Sequence, residues 1–141
     1  MNGKRSAAVR FELYHVGISV ADLDAMTAWY ANTLGFTVEG AFEVEQKGLR
    51  GRLLSHACGL GLELLERAGS KVVGNYSDPF AAALIRGYGH IALRVSDLDA
   101  CFEHLISAGA RAVWSPRPAP IPGSRMAYVS DPEGNLIELV T

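Results

Sequence analysis

The chain has 141 residues, 49% hydrophobic and 20% charged, which excludes a large multidomain enzyme, a disordered chain and a fibrous repeat. Lys and Arg number 13 against 15 Asp and Glu, for a net charge of −2 with no basic stripe, so nucleic acid is set aside as a partner. No apolar run reaches the roughly 18 residues of a membrane span, and Arg10, Glu12 and His15 interrupt the stretch that follows Lys4-Arg5. These features predict a cytoplasmic protein without a membrane partner. Two cysteines, Cys58 and Cys101, are too few for a disulfide framework and read as small buried hydrophobes.

Residues 1–10 read as a flexible tail. From there the chain repeats itself: His15-Val-Gly-Ile-Ser-Val-Ala-Asp-Leu-Asp-Ala25 lies without a gap over His90-Ile-Ala-Leu-Arg-Val-Ser-Asp-Leu-Asp-Ala100, an offset of 75. The same offset carries Leu62-Glu63-Leu64 onto Ile137-Glu138-Leu139, so two distant stretches agree on one register.

In chain order the spacing predicts a strand over Glu12–Val20 and then a helix opened by Asp22, with Leu23, Met26, Trp29, Tyr30 and Leu34 as its apolar stripe and Gly35 as its left-handed end. Strands are predicted at Thr37–Val44, Gly51–Ala57 and Leu60–Glu66. The segment from Arg67 to Tyr88 joins the halves, and Ser77-Asp78-Pro79 before Phe80–Ile85 suggests a short helix with proline in its first turn. The second half runs through a strand at Gly89–Val95 and a helix opened by Asp97, with Leu98, Cys101, Phe102 and Leu105 inward and Gly109 at its end. Strands follow at Ala112–Trp114, Arg125–Ser130 and Leu136–Val140, the last two separated by the turn Asp131-Pro132-Glu133-Gly134-Asn135. Ser115–Ser124, with Pro116, Pro118, Pro120 and Pro122, reads as a stiff loop that cannot enter a sheet interior, either a connector or a lid. The fold class is therefore α+β: one domain over 11–141, made of two βαβββ modules (11–66 and 88–141) joined by 67–87.

Strand alternation puts His15, Gly17 and Ser19 on one face and His90, Ala92 and Arg94 on the equivalent face, each opposite the helix. Glu63 and Glu138 sit in largely apolar strands. Each residue alone has an ordinary explanation, a satisfied histidine or a glutamate turned to water. Jointly they read differently, because a pseudo-twofold relating the modules gathers His15, Glu63, His90 and Glu138 on a common axis, as ligands of one divalent metal ion. Nitrogen and oxygen donors suit Zn, Ni, Co, Mn or Fe, and four protein ligands leave positions for water or substrate. Arg94, Arg117 and Arg125 are candidates for a substrate carboxylate or phosphate, each with a solvated surface arginine as its plainer reading; Arg94 is the best placed.

On His15-Val-Gly-Ile-Ser-Val-Ala-Asp-Leu-Asp, Gly87-Tyr-Gly-His-Ile-Ala-Leu93 and Asp131-Pro-Glu-Gly-Asn-Leu-Ile-Glu138, the chain resembles the vicinal oxygen chelate superfamily from about Phe11 to Thr141. The resemblance implies an open mixed β-barrel with helices outside, one divalent metal ion, a small-molecule substrate and a homodimer. It also implies three possible activities. In the first, similar to glyoxalase I and methylmalonyl-CoA epimerase, a metal-dependent isomerase, epimerase or lyase abstracts a proton next to a chelated carbonyl through an enediolate, with Glu63 and Glu138 as metal ligands and bases. Two glutathione-binding positions of glyoxalase I, an Arg and an Asn, are occupied here by residues such as Ile18 and Arg67, and the epimerases have Gln at the position of Glu63. The second activity is extradiol ring cleavage by Fe(II) on His15, His90 and Glu138, with Tyr128 matching a tyrosine that lines those active sites or else simply packing in the core. The third is a metal-free drug-binding protein of the bleomycin-resistance kind, whose members generally lack the full ligand set kept here. Whether the barrel closes within one chain or between two is left open by the repeat.

Overall fold

The computed structural model describes residues 9–141. Most of the expected flexible tail, residues 1–8, lies outside the described residues. The first module is β1 (Val16–Val20), α1 (Leu23–Leu34), β2 (Thr37–Val44), β3 (Leu49–Ser55) and β4 (Gly61–Arg67). A short α2 (Pro79–Ala83) leads to the second: β5 (His90–Arg94), α3 (Leu98–Ser107), β6 (Arg111–Pro118), β7 (Arg125–Ser130) and β8 (Leu136–Val140). Each module forms one four-stranded mixed sheet, in the order β1-β4-β3-β2 and β5-β8-β7-β6, and neither sheet closes into a barrel. The α+β class and the repeated unit are thus as expected.

Local sequence explains the elements. Asp22 and Asp97 cap their helices by accepting from Ala25 N at 2.9 Å and Ala100 N at 3.0 Å. Gly35 ends α1 at φ 75°, and Gly109, at φ 100°, follows α3. Asp78 caps α2 ahead of Pro79, although the helix ends at Ala83, before Ile85. The first strand is shorter than Glu12–Val20. Its ladder with β4 begins at Val16 opposite Leu62, and the β3–β4 turn leaves nothing for residues 12–15 to pair with. The second strand of the second module needs the larger correction: β6 continues to Pro118, through four of the ten residues of the expected loop. It can do so because it is the outermost strand of its sheet, where a proline's missing N–H costs no ladder bond.

Leu62 and Leu64 of the first sheet and Ala127, Val129, Ile137 and Leu139 of the second join Leu23, Met26, Tyr30, Leu98 and Leu105 in a single continuous core. Bonds between the modules tie it together. Trp29 Nε1 donates to the Ala108 carbonyl at 2.9 Å, His104 Nε2 donates to the Thr33 carbonyl at 2.9 Å, and the Glu133 carboxylate accepts from Ala21 N and Asp22 N. The opposite face of each sheet, which carries the histidines and glutamates, is turned away from this core. Among the described residues no helix is long and apolar enough to cross a membrane.

Candidate metal centre

His15 sits immediately before the edge strand β1, and its Nε2 lies 3.3 Å from Glu63 Oε2. Glu63 is the register partner of Gly17 on β1 and of Leu53 on β3. Leu62 and Leu64 on either side of it are fully buried in the core, so the β alternation directs Glu63 to the other face. The repeat reproduces this unit: His90 Nε2 lies 3.1 Å from Glu138 Oε2, and Glu138 pairs with Ala92 and Tyr128 between the buried Ile137 and Leu139. All four side chains keep some exposure, between 20% and 35%, so each pair faces solvent from a largely apolar surround.

A close approach of backbone positions the first pair. A Cβ added at Gly61 would come within 2.2 Å of the Tyr14 carbonyl oxygen and 3.1 Å of the His15 Cβ. His15 Nδ1 is buried and has no hydrogen-bond partner among the described residues, while Nε2 is the nitrogen directed at Glu63.

Imidazole nitrogens beside carboxylate oxygens fit a divalent ion in donor chemistry. Within one chain, however, the four expected ligands come together only as two pairs. Among the described residues no group of three or more His, Cys, Asp or Glu is close enough to hold an ion. The physical reason lies in the packing: the modules meet through their helix sides, whereas a common axis within the chain requires the histidine-bearing faces to meet. A cleft of about 1080 Å³ runs along the free edge of β1, reaching from His15 through Gly17 and Ser19 to His90 and walled by residues 70–77 of the connecting segment.

Tyr128 is at the second pair. Its hydroxyl is 3.4 Å from His90 Nε2, its ring meets the imidazole edge-on at 5.3 Å, and burial together with the Glu138 carboxylate pushes its pKa up to about 12. Arg94 lies on the face of His90, exposed and without an ion pair among the described residues. Arg125 does not belong here. It alternates with Tyr128 onto the helix side of β7, where Asp99 of α3 receives its guanidinium in two bonds of 2.8 and 3.2 Å and is held below the usual carboxylate range by them. Sequence reasoning missed Trp114, whose ring packs edge-on against Tyr128 at 5.4 Å; an aromatic on the last residue of a predicted strand was the available signal.

Residues 12–139 match the model of the Glyoxalase/Bleomycin resistance protein/Dioxygenase superfamily, and the chain belongs to that superfamily. A protein of Synechocystis sp. named probable lactoylglutathione lyase is 30% identical over 129 residues, covering 91% of this chain and 93% of that protein. A probable lactoylglutathione lyase of Vibrio cholerae is 26% identical, over 91% of this chain and 88% of its own length. Among solved structures, a glyoxalase family protein from Enterococcus faecalis superposes with a TM-score of 0.78 at 22% identity, over 92% of this chain and 97% of that one. Glyoxalase I from Zea mays does so at 0.72 and 22%, with 44% of its length covered, so these structures speak for the fold.

Proposed function

We propose that the chain is a divalent-metal-dependent lyase or isomerase of the glyoxalase type, with each metal centre assembled from two copies: His15 and Glu63 of one, His90 and Glu138 of the other. The observation that carries this reading is the geometry of the two pairs. Each is a two-residue half of a four-ligand set, built on a sheet face that the shared core leaves free, and the chain's own fold keeps the halves apart. A twofold-related copy supplies the missing half to both sites at once, because an isologous interface sets each surface opposite its complement. The lyase names of the relatives support the reaction class.

Held by these four residues, a divalent ion would supply Lewis-acid polarisation of a carbonyl oxygen, which would acidify the neighbouring C–H. Glu63 and Glu138 are the bases that take and return that proton, since each carboxylate is held against an imidazole at an apolar surface. Tyr128, with a hydroxyl that stays protonated at neutral pH, positions the His90 ring and keeps water from its flank.

Complementation tests the assembly. A chain carrying His15→Ala and Glu63→Gln is refolded or co-expressed with one carrying His90→Ala and Glu138→Gln, and bound zinc, nickel or cobalt is counted. A shared site restores one intact centre per mixed dimer. A site within one chain restores none, which overturns the proposed assembly, and stoichiometric iron in the wild-type protein instead favours ring cleavage.

A further inference from the structure

The second module carries a feature that the metal centre does not use. Ala92, Glu138, Tyr128 and Trp114 are register partners in one row across β5, β8, β7 and β6, so their side chains share one face. Beyond Trp114 the ladder is irregular. Tyr128 and Met126, two residues apart on β7, pair with Trp114 and Arg117, three apart on β6. The extra residue lies in Ser115-Pro116, where proline has no N–H to pair, and it returns Arg117 to the face of Trp114.

The Arg117 guanidinium stands over the indole, 5.1 Å from the ring centroid, and its Nε donates to the Ser115 carbonyl at 3.0 Å. Both contacts orient the group, and among the described residues its two terminal nitrogens make no hydrogen bond. Arg117 has no carboxylate partner among the described residues. Phe80 of α2 packs against Trp114 at 5.1 Å and is itself 74% exposed. The face therefore presents the His90–Glu138 pair, the Trp114 indole packed against the buried Tyr128, and then an oriented cation.

We infer that Trp114 and Arg117 set substrate specificity: the substrate presents its carbonyl at His90 and Glu138, lays a flat apolar portion against Trp114, and ends in an anionic group held by Arg117. This rests on the proposed reading of His90 and Glu138 as half of the reactive centre. Stacking orients the guanidinium so that a carboxylate or phosphate can take two parallel N–H bonds.

Binding without turnover separates this inference from the reaction class. The full chain, with and without zinc, is titrated with 4-methylacetophenone, 4-acetylbenzoate and 4-acetylphenyl phosphate, following indole emission. Trp114 and the core residue Trp29 are the two tryptophans of the chain, so Trp114→Phe identifies the reporting ring. The expected result is at least tenfold tighter binding of one or both anions than of the neutral ketone, a preference that Arg117→Gln abolishes and Arg117→Lys partly keeps. Tighter binding of the benzoate identifies a carboxylate, and of the ester a phosphate. Equal affinities for all three, no binding of any, a preference that survives Arg117→Gln, or an Arg117→Gln variant whose only change is loss of dimer on size exclusion each overturns the inference. Loss of the metal or of lyase activity leaves this result standing and counts against the proposed function instead.

Discussion

Tyr30, in the first module, donates its fully buried hydroxyl to Asp131 Oδ2 in the second at 2.8 Å, and Asp131 also accepts from Glu133 N, Asn135 N and Asn135 Nδ2. The bond spans the boundary between the two repeats and ties α1 to the turn that precedes β8 and Glu138. Removing the hydroxyl leaves a 1% exposed carboxylate short of one donor. Tyr30→Phe is expected to lower stability by about 1–3 kcal/mol, read by urea denaturation, with the metal-binding groups still present.

The same tyrosine predicts an alkaline limit. Burial first, and then the Asp131 charge, raise the Tyr30 pKa far above its ordinary value of 10.0. The folded state thus keeps a proton that the unfolded chain releases, so this contribution is fully present below pH about 10 and is lost as the pH rises beyond it. Denaturation midpoints measured from pH 8 to 11 should fall less steeply above pH 10 in Tyr30→Phe than in the wild type, and parallel curves would remove Tyr30 as the cause.

Glu63→Gln and Glu138→Gln each withdraw a charged donor from a proposed metal ligand set. Each is expected to cost an order of magnitude or more in zinc affinity, measured by competition with a chelating dye, while circular dichroism stays that of the wild type. Unchanged affinity in Glu63→Gln points to a three-ligand centre on His15, His90 and Glu138.

Two glycines beside His15 give opposite outcomes. At Gly61 a methyl group meets the Tyr14 backbone, so Gly61→Ala must move the segment that carries His15 and is expected to lower both the melting temperature and zinc affinity. At Gly17, on the face shared with His15, none of the described residues lies within 4 Å of an added Cβ, so Gly17→Ala should melt within a degree or two of the wild type. A Gly61→Ala protein with wild-type stability and zinc affinity contradicts the role of that close approach.

Arg94 and Arg125, two of the three arginine candidates for a substrate anion, also part company. Arg94→Ala is expected to raise KM or lower kcat, because Arg94 lies on the His90 face, whereas Arg125→Ala leaves both unchanged, its guanidinium being held by Asp99 on the helix side. Identical kinetics in both variants would exclude Arg94 from substrate binding.

Much of this was legible before folding because it is written in local periodicity. The offset from 15 to 90 defined two equivalent modules, Asp22 and Asp97 announced the helix starts, and alternation along Leu62–Leu64 and Ile137–Leu139 placed Glu63 and Glu138 on the faces of their histidines. The pairing of Arg125 with Asp99 is not visible in periodicity, because the two are distant in sequence. Trp114 and Arg117 were not joined because the extra residue in β6, which aligns them, leaves no mark in a strict two-residue period.

Residue patterning alone specifies each module: a helix-packed sheet with one histidine and one glutamate facing away from the helix. How the two modules meet follows from packing between them. Alternation specifies which side of a strand is apolar within a module, but both modules offer an apolar helix side and a site-bearing side, and burial of Trp29, Tyr30, Leu98 and Leu105 in one core favours joining the helix sides. That choice separates His15 and Glu63 from His90 and Glu138 within the chain, since side chains on the faces turned away from a shared core cannot meet across it.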